Sequence, residues 1–148
     1  METILPYNQY ILIYRFSFIT FFTFLYALYM KLYLISIFPG SIFLTSINYW
    51  KKPMYSYRRT LDIVVVTTSI SCQHYLAYNS QYQEIYYFLF LIAKILYLLG
   101  KYYYNKKEYL ISTYLHISFQ AISNFATVIL CSGDIVYYNT ISKYSLNE

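Results

Sequence analysis

Apolar residues run along the chain in five long stretches, each broken by a short polar or charged interval. The stretches are about Ile13 to Met30, Leu32 to Trp50, Leu61 to Tyr78, Ile85 to Tyr103 and Leu110 to Cys131. Each is close to the ~20 residues a helix needs to cross ~30 Å of hydrocarbon. The pattern therefore predicts an all-α fold, a transmembrane helix bundle of about five spans, with the whole chain 1–148 as a single integral membrane domain. Only Lys31 separates the first two stretches. An alternative joins them as one long span plus a re-entrant piece broken at Pro39-Gly40, which leaves four spans. No repeat and no Gly/Ser linker interrupts the series.

Composition supports the same class. Hydrophobic residues make up 59% and charged residues 11%, less than half the roughly 25% charge of soluble domains. Such a chain cannot cover a water-facing surface. The 23 tyrosines gather where stretches end: Tyr7, Tyr10 and Tyr14, then Tyr26, Tyr29 and Tyr33, then Tyr75, Tyr78, Tyr82, Tyr86 and Tyr87, then Tyr102, Tyr103, Tyr104 and Tyr109. Amphipathic rings favour the water–lipid boundary. An AT-rich codon usage accounts for their abundance. The N-terminal residues lack a basic region and a small-residue cleavage site, so the first stretch is expected to act as an uncleaved insertion signal.

Charge orients the bundle. Lys51, Lys52, Arg58 and Arg59 separate the second and third stretches, and Lys101, Lys106 and Lys107 separate the fourth and fifth. With five spans these share a side with the N-terminus and Arg15, giving eight basic residues against Lys31 and Lys143 opposite. The positive-inside rule then puts the N-terminus in the cytoplasm and the C-terminus on the far side. The net charge of +5 is explained by these span ends and by anionic headgroups, so no nucleic-acid partner is expected. Membrane lipids are the expected partners, along with other membrane proteins or a second copy of the chain.

Polar residues inside the stretches are the candidates for chemistry, because ionisable groups in a bilayer are costly. The fifth stretch carries Ser112, His116, Gln120, Ser123, Asn124 and Thr127 at helical spacing, one polar stripe on one face. The third has Asp62, Ser69 and Gln73 on a face. The second has Ser41, Thr45 and Asn48, with Ser46 beside them. Such stripes commonly serve helix–helix hydrogen bonding. By helical rise, Ser46, Asp62 and His116 fall within ~10 Å of the cytoplasmic face. Cys72 and His74 lie ~15–18 Å beyond Asp62, too far to share a site with it. Lys94 and Asp62 are the opposite charges expected to be buried in spans, and a Lys94–Asp62 pair is expected, with Lys94 snorkelling alone towards the interface as the alternative.

The string Thr45 to Pro53 (T-S-I-N-Y-W-K-K-P) with Arg58 to Asp62 (R-R-T-L-D) resembles segments of small multi-pass membrane proteins of giant DNA viruses. It is also distantly similar to the membrane-hydrolase superfamily of alkaline ceramidases and adiponectin-type receptors. That resemblance implies a seven-span fold binding zinc through Ser-x-x-x-His in the second span, Asp in the third and His-x-x-x-His in the last. Ser46, Asp62 and His116 match in order. Trp50 stands where the first His would be, Gln120 where the last would be, and two spans are missing. Catalytic zinc takes three protein ligands and a water, so no metal is expected here and His116 is only a weak candidate ligand. No phosphate loop, H-E-x-x-H or G-x-S-x-G motif occurs. The reading is a multi-pass membrane protein with a non-catalytic structural or interaction role. One alternative is a degenerate or atypical metal-dependent lipid-amide hydrolase, with Ser46, Asp62 and His116 as its catalytic candidates. In it Asp62 would orient water and His116 would act as ligand or base. A second alternative is small-solute transport by an oligomer.

Overall fold

A computed structural model describes residues 3–136, and these form helices α1 (Tyr7–Phe16), α2 (Phe18–Tyr29), α3 (Tyr33–Trp50), α4 (Tyr57–Ala77), α5 (Gln83–Asn105) and α6 (Tyr109–Cys131). Lys143 and the C-terminal end lie outside the described residues. α1 and α2 run on through Ser17 as one 23-residue rod, Tyr7–Tyr29. Ser17 folds its hydroxyl back onto the Ile13 carbonyl at 2.9 Å, which also accepts the Ser17 N–H at 2.9 Å.

The helix ends follow from local chemistry. Pro6 precedes α1, where a missing N–H costs nothing. Three turns rest on a left-handed residue: Lys31 (φ 60°), Asn79 (φ 59°) and Lys107 (φ 64°). A left-handed residue stops a helix by swinging the next N–H back onto its last carbonyls. Glu108 N–H duly reaches the Tyr103 carbonyl at 3.0 Å.

The rod Tyr7–Tyr29, α5 and α6 are each 23 residues and apolar enough to cross a membrane. α3 and α4, 18 and 21 residues long, fall outside that group. The structure corrects the expected start of the first stretch by extending its helix back to Tyr7. Arg15, expected to flank the first span, therefore lies ~12 Å along the helix. Residues 33–50 form a continuous helix through Pro39 and pack antiparallel on α2. Gly40 was expected to break or kink this segment. Its place is instead a packing one, since a Cβ there would lie 3.0 Å from the Phe24 ring of α2.

The bundle has two ends. At the basic end, Ile4 N–H bonds the Pro53 carbonyl at 2.9 Å, and the Tyr104 hydroxyl reaches the Ile4 carbonyl at 3.4 Å. The start of α1, the α3–α4 loop and the α5–α6 turn thus meet there. At the opposite end, Gln81 N–H bonds the Asp134 carbonyl at 2.9 Å, and Asp134 N–H bonds Gln81 Oε1 at 3.1 Å. Each end has its own apolar core. Leu5, Ile13, Tyr49 and Trp50 form the core at the basic end. Ala27, Ile35, Leu76, Tyr86, Phe90, Leu130 and Cys131 belong to the other.

Candidate functional site

Between the two apolar cores lies a polar belt. α1 and α6 both start at the basic end, so they run parallel, and their polar faces meet in register. Gln120 Nε2 reaches Ser17 Oγ at 3.4 Å. One turn on, Thr23 Oγ1 donates to Asn124 Oδ1 at 2.8 Å, and Asn124 Nδ2 donates to Thr20 Oγ1 at 3.2 Å and to the Gln120 carbonyl at 2.8 Å. Further along, Thr127 donates to Gln73 Oε1 of α4 at 3.1 Å. The expected stripe on α6 thus faces inward, and its partners come from the Tyr7–Tyr29 rod and from α4. Ser17, Thr20 and Thr23 were not singled out from the sequence, although their spacing of three residues was available as a signal. Thr113, wholly buried on α6, was also missed.

Asp62 is buried near the basic end, where α4 crosses α3. Its Oδ1 accepts two hydroxyls from α3, Thr45 at 2.8 Å and Ser46 at 2.9 Å. Two donors on one oxygen hold the carboxyl firmly against α3. The rest of the expected α3 stripe does not join it. Asn48 faces outward, and its carbonyl accepts from Arg58 Nη1 at 3.4 Å. Ser41 bonds only the Ile37 carbonyl.

His116 does not reach this carboxylate as a ligand. Its ring packs edge-on against Trp50 at 5.0 Å and Phe119 at 5.8 Å, and its Nε2 lies 3.3 Å from Gln120 Nε2. Trp50 stands one helical turn beyond Ser46 on α3, and it is the ring that meets the imidazole there. The other histidine, His74, belongs to an aromatic cluster at the opposite end. Its Nδ1 is 3.0 Å from the Tyr86 hydroxyl, and Tyr87 donates to its backbone carbonyl at 2.7 Å.

The expected Lys94–Asp62 pair is not formed. Asp62 is engaged by α3, while Lys94 is exposed at the middle of α5. The reason lies in the packing: α4 leans on α3 and α5 on α6, and consecutive α4 and α5 make little contact with one another.

Zinc, which the hydrolase resemblance implies, does not fit these residues. Asp62 is bonded by Thr45 and Ser46 while the His116 ring packs on Trp50 and Phe119, and among the described residues no three His, Cys, Asp or Glu side chains gather as a metal-binding group. What the arrangement does chemically is satisfy polar groups across helix interfaces, in a region where each unpaired group is costly. Gln9 Oε1, Thr113 Oγ1 and Gln120 Oε1 are buried atoms without a protein partner, and all three lie on α1 or α6. No protein-family model, no curated protein and no solved structure matches the chain.

Proposed function

We propose that the chain is a five-span, multi-pass membrane protein whose role is structural or interactive rather than catalytic. The observation that carries this reading is the inversion of polarity. Every helix exposes large apolar side chains, such as Phe22 on α2, Leu44 on α3, Val64 on α4, Phe88 on α5 and Phe125 on α6. The groups turned inward include Thr20, Thr23, Ser46, Asp62, Ser69, Gln73, Gln120 and Asn124. Water would penalise that arrangement, whereas lipid favours it. α3 and α4 also turn large apolar side chains outward, among them Leu34, Ile37 and Leu44 on α3 and Leu61, Ile63 and Val64 on α4, alongside the hydroxyls of Thr67, Thr68 and Ser71. We therefore count both as spans, with the basic end in the cytoplasm.

The candidate residues support a non-catalytic role because their hydrogen-bonding groups are spent on each other. Asp62 answers Thr45 and Ser46, Asn124 answers Thr20 and Thr23, and Gln73 answers Thr127. Topology tests the reading directly. In sealed vesicles carrying single-cysteine variants, a membrane-impermeant thiol reagent should label Lys52→Cys and Lys107→Cys from the same side and Asn79→Cys from the other. Labelling of Lys52→Cys and Asn79→Cys from one side would remove α4 as a span.

A second reading draws on the Ser46–Asp62 bond. Its two residues match the order in the alkaline-ceramidase-type hydrolases, which makes this chain a decayed relative with Trp50 in place of a ligand. That reading predicts no zinc in detergent-purified protein, either wild type or His116→Ala. About one zinc per chain, lost in the variant, would replace it with a working metal site.

A further inference from the structure

We propose that the open groove between α4 and α5 docks a transmembrane helix of a different protein, one that carries an Asp or Glu side chain at mid-membrane depth. This rests on the membrane reading above and adds a partner to it.

Lys94 supplies the first reason. It has eleven residues of α5 on either side, so ~16 Å of helix separates it from each end. Half the hydrocarbon thickness is ~15 Å, which puts its Cα at the midplane. A lysine stem snorkels over a turn or so of helix and does not bridge that distance to the headgroups. Its side chain is exposed, so the charge points out of the bundle. Among the described residues no acidic group stands at this level. Asp62 is held by Thr45 and Ser46. Glu84 lies ten residues back, ~15 Å along α5. Glu108 and Asp134 sit at the two ends. Charges inside a bilayer are stabilised by pairing, and this chain leaves Lys94 to be paired from outside.

α4 supplies the second reason. Thr67 and Ser71, seven and three residues before His74 and so on its face of the helix, are exposed, six to ten residues before the end of α4 at Ala77. They stand ~9–15 Å from the opposite end, around the depth of Lys94. Small hydroxyl residues facing lipid let another backbone approach closely, as in membrane helix interfaces. The two walls meet where His74 contacts Tyr86, Tyr87 and Phe90. Beyond that point α4 and α5 make little contact, so the groove opens towards the basic end.

The occupant follows from depth. A lipid headgroup stays at the interface, but a carboxylate halfway along a spanning helix reaches Lys94 without leaving the bilayer. A second copy of this chain offers no acid at that level among its described residues, so the partner is another protein.

The test uses a synthetic probe, a Leu/Ala-rich transmembrane peptide with one central Asp, beside the same peptide with a central Leu. Each is reconstituted with full-length protein in phosphatidylcholine vesicles, and association is read by energy transfer from a dye at Lys52→Cys in a Cys72→Ser background. The Asp peptide should associate about tenfold more tightly than the Leu peptide. Lys94→Met should erase that preference and Lys94→Arg should retain it. Equal association of the two peptides, or a preference that survives Lys94→Met, overturns the proposal. So does Lys94-dependent gathering of phosphatidylserine with no peptide preference, which would assign the groove to lipid. Failure of the membrane reading looks different, because wild-type protein would then not float with the vesicles at all.

Discussion

Asn124 has a donating end and an accepting end, and the bundle engages both. Its Oδ1 takes the Thr23 hydroxyl, and its Nδ2 serves Thr20 and the Gln120 carbonyl. Asn124→Leu removes these bonds, but Thr23 keeps a fallback on the Ile19 carbonyl at 3.3 Å. Inter-helical bonds in membranes are worth about 0.6 kcal/mol on average, so this variant should lose about 1 kcal/mol in reversible unfolding from mixed micelles. Asn124→Asp keeps the shape but replaces a donor with a buried charge among hydroxyls. It should lose about 3 kcal/mol at neutral pH, and an equal loss in the two variants would show that the amide donor is unimportant. Asn124, Gln120 and Gln73 were legible in the sequence as members of helical stripes. Their partners Ser17, Thr20 and Thr23 were not, because hydroxyl residues are common in membrane helices and usually bond their own backbone.

At the scale of helices, contact depends on how closely backbones approach. Gly40 sits where α3 meets α2, with the Phe24 ring 3.0 Å from where a Cβ would be. Gly40→Val should cost about 1–3 kcal/mol by overpacking, and Phe24→Ala in the same chain should recover part of that. Additive losses in this double cycle would mean that the two positions are not in contact. The turns carry a separate strain. Lys107 adopts φ 64°, a conformation that costs an L-residue about 1 kcal/mol. Lys107→Gly should therefore match or exceed wild-type stability, while Lys107→Val should fall below it by about 1–2 kcal/mol; a β-branched residue tolerated there would refute the left-handed turn. The sequence marked where α2 stops, through Lys31 amid apolar residues. It could not mark how, since the positive φ depends on the two helices docking side by side.

For the whole molecule, the two-ended design makes a sharp prediction about distance. Gln81 and Asp134 exchange backbone and side-chain bonds at one end, while Pro53 meets Ile4 at the other. In a Cys72→Ser, Cys131→Ser background, Gln81→Cys with Asp134→Cys should form a disulfide under mild oxidation. Gln81→Cys with Pro53→Cys should form none within one chain. An intramolecular bond in the second pair would reverse the placement of α4. The same two-ended arrangement gathers Lys51, Lys52, Arg58, Arg59, Lys106 and Lys107 at or near one end, as the loop charges implied. Lys94 falls outside this scheme. Sequence spacing made it a partner for Asp62, but α4 and α5 pack on different neighbours, and that separation leaves its charge facing outward.

The sequence by itself determined the all-helical class, the approximate course of the helices apart from the start of the first, and the inward face of α6. Those features follow from local periodicity, from the length needed to cross hydrocarbon, and from the cost of exposing backbone to lipid. Only the tertiary structure decided which polar groups pair. It put Asp62 against Thr45 and Ser46 rather than Lys94, packed Trp50 on His116, and set α6 parallel to α1. The physical reason is that membrane helices are held by packing and hydrogen bonds distributed along their lengths, and most of what these helices turn outward is similar apolar surface. Hydrophobic pattern alone cannot distinguish one neighbour from another. The choice falls to shape at a few small residues and to polar groups that must find partners.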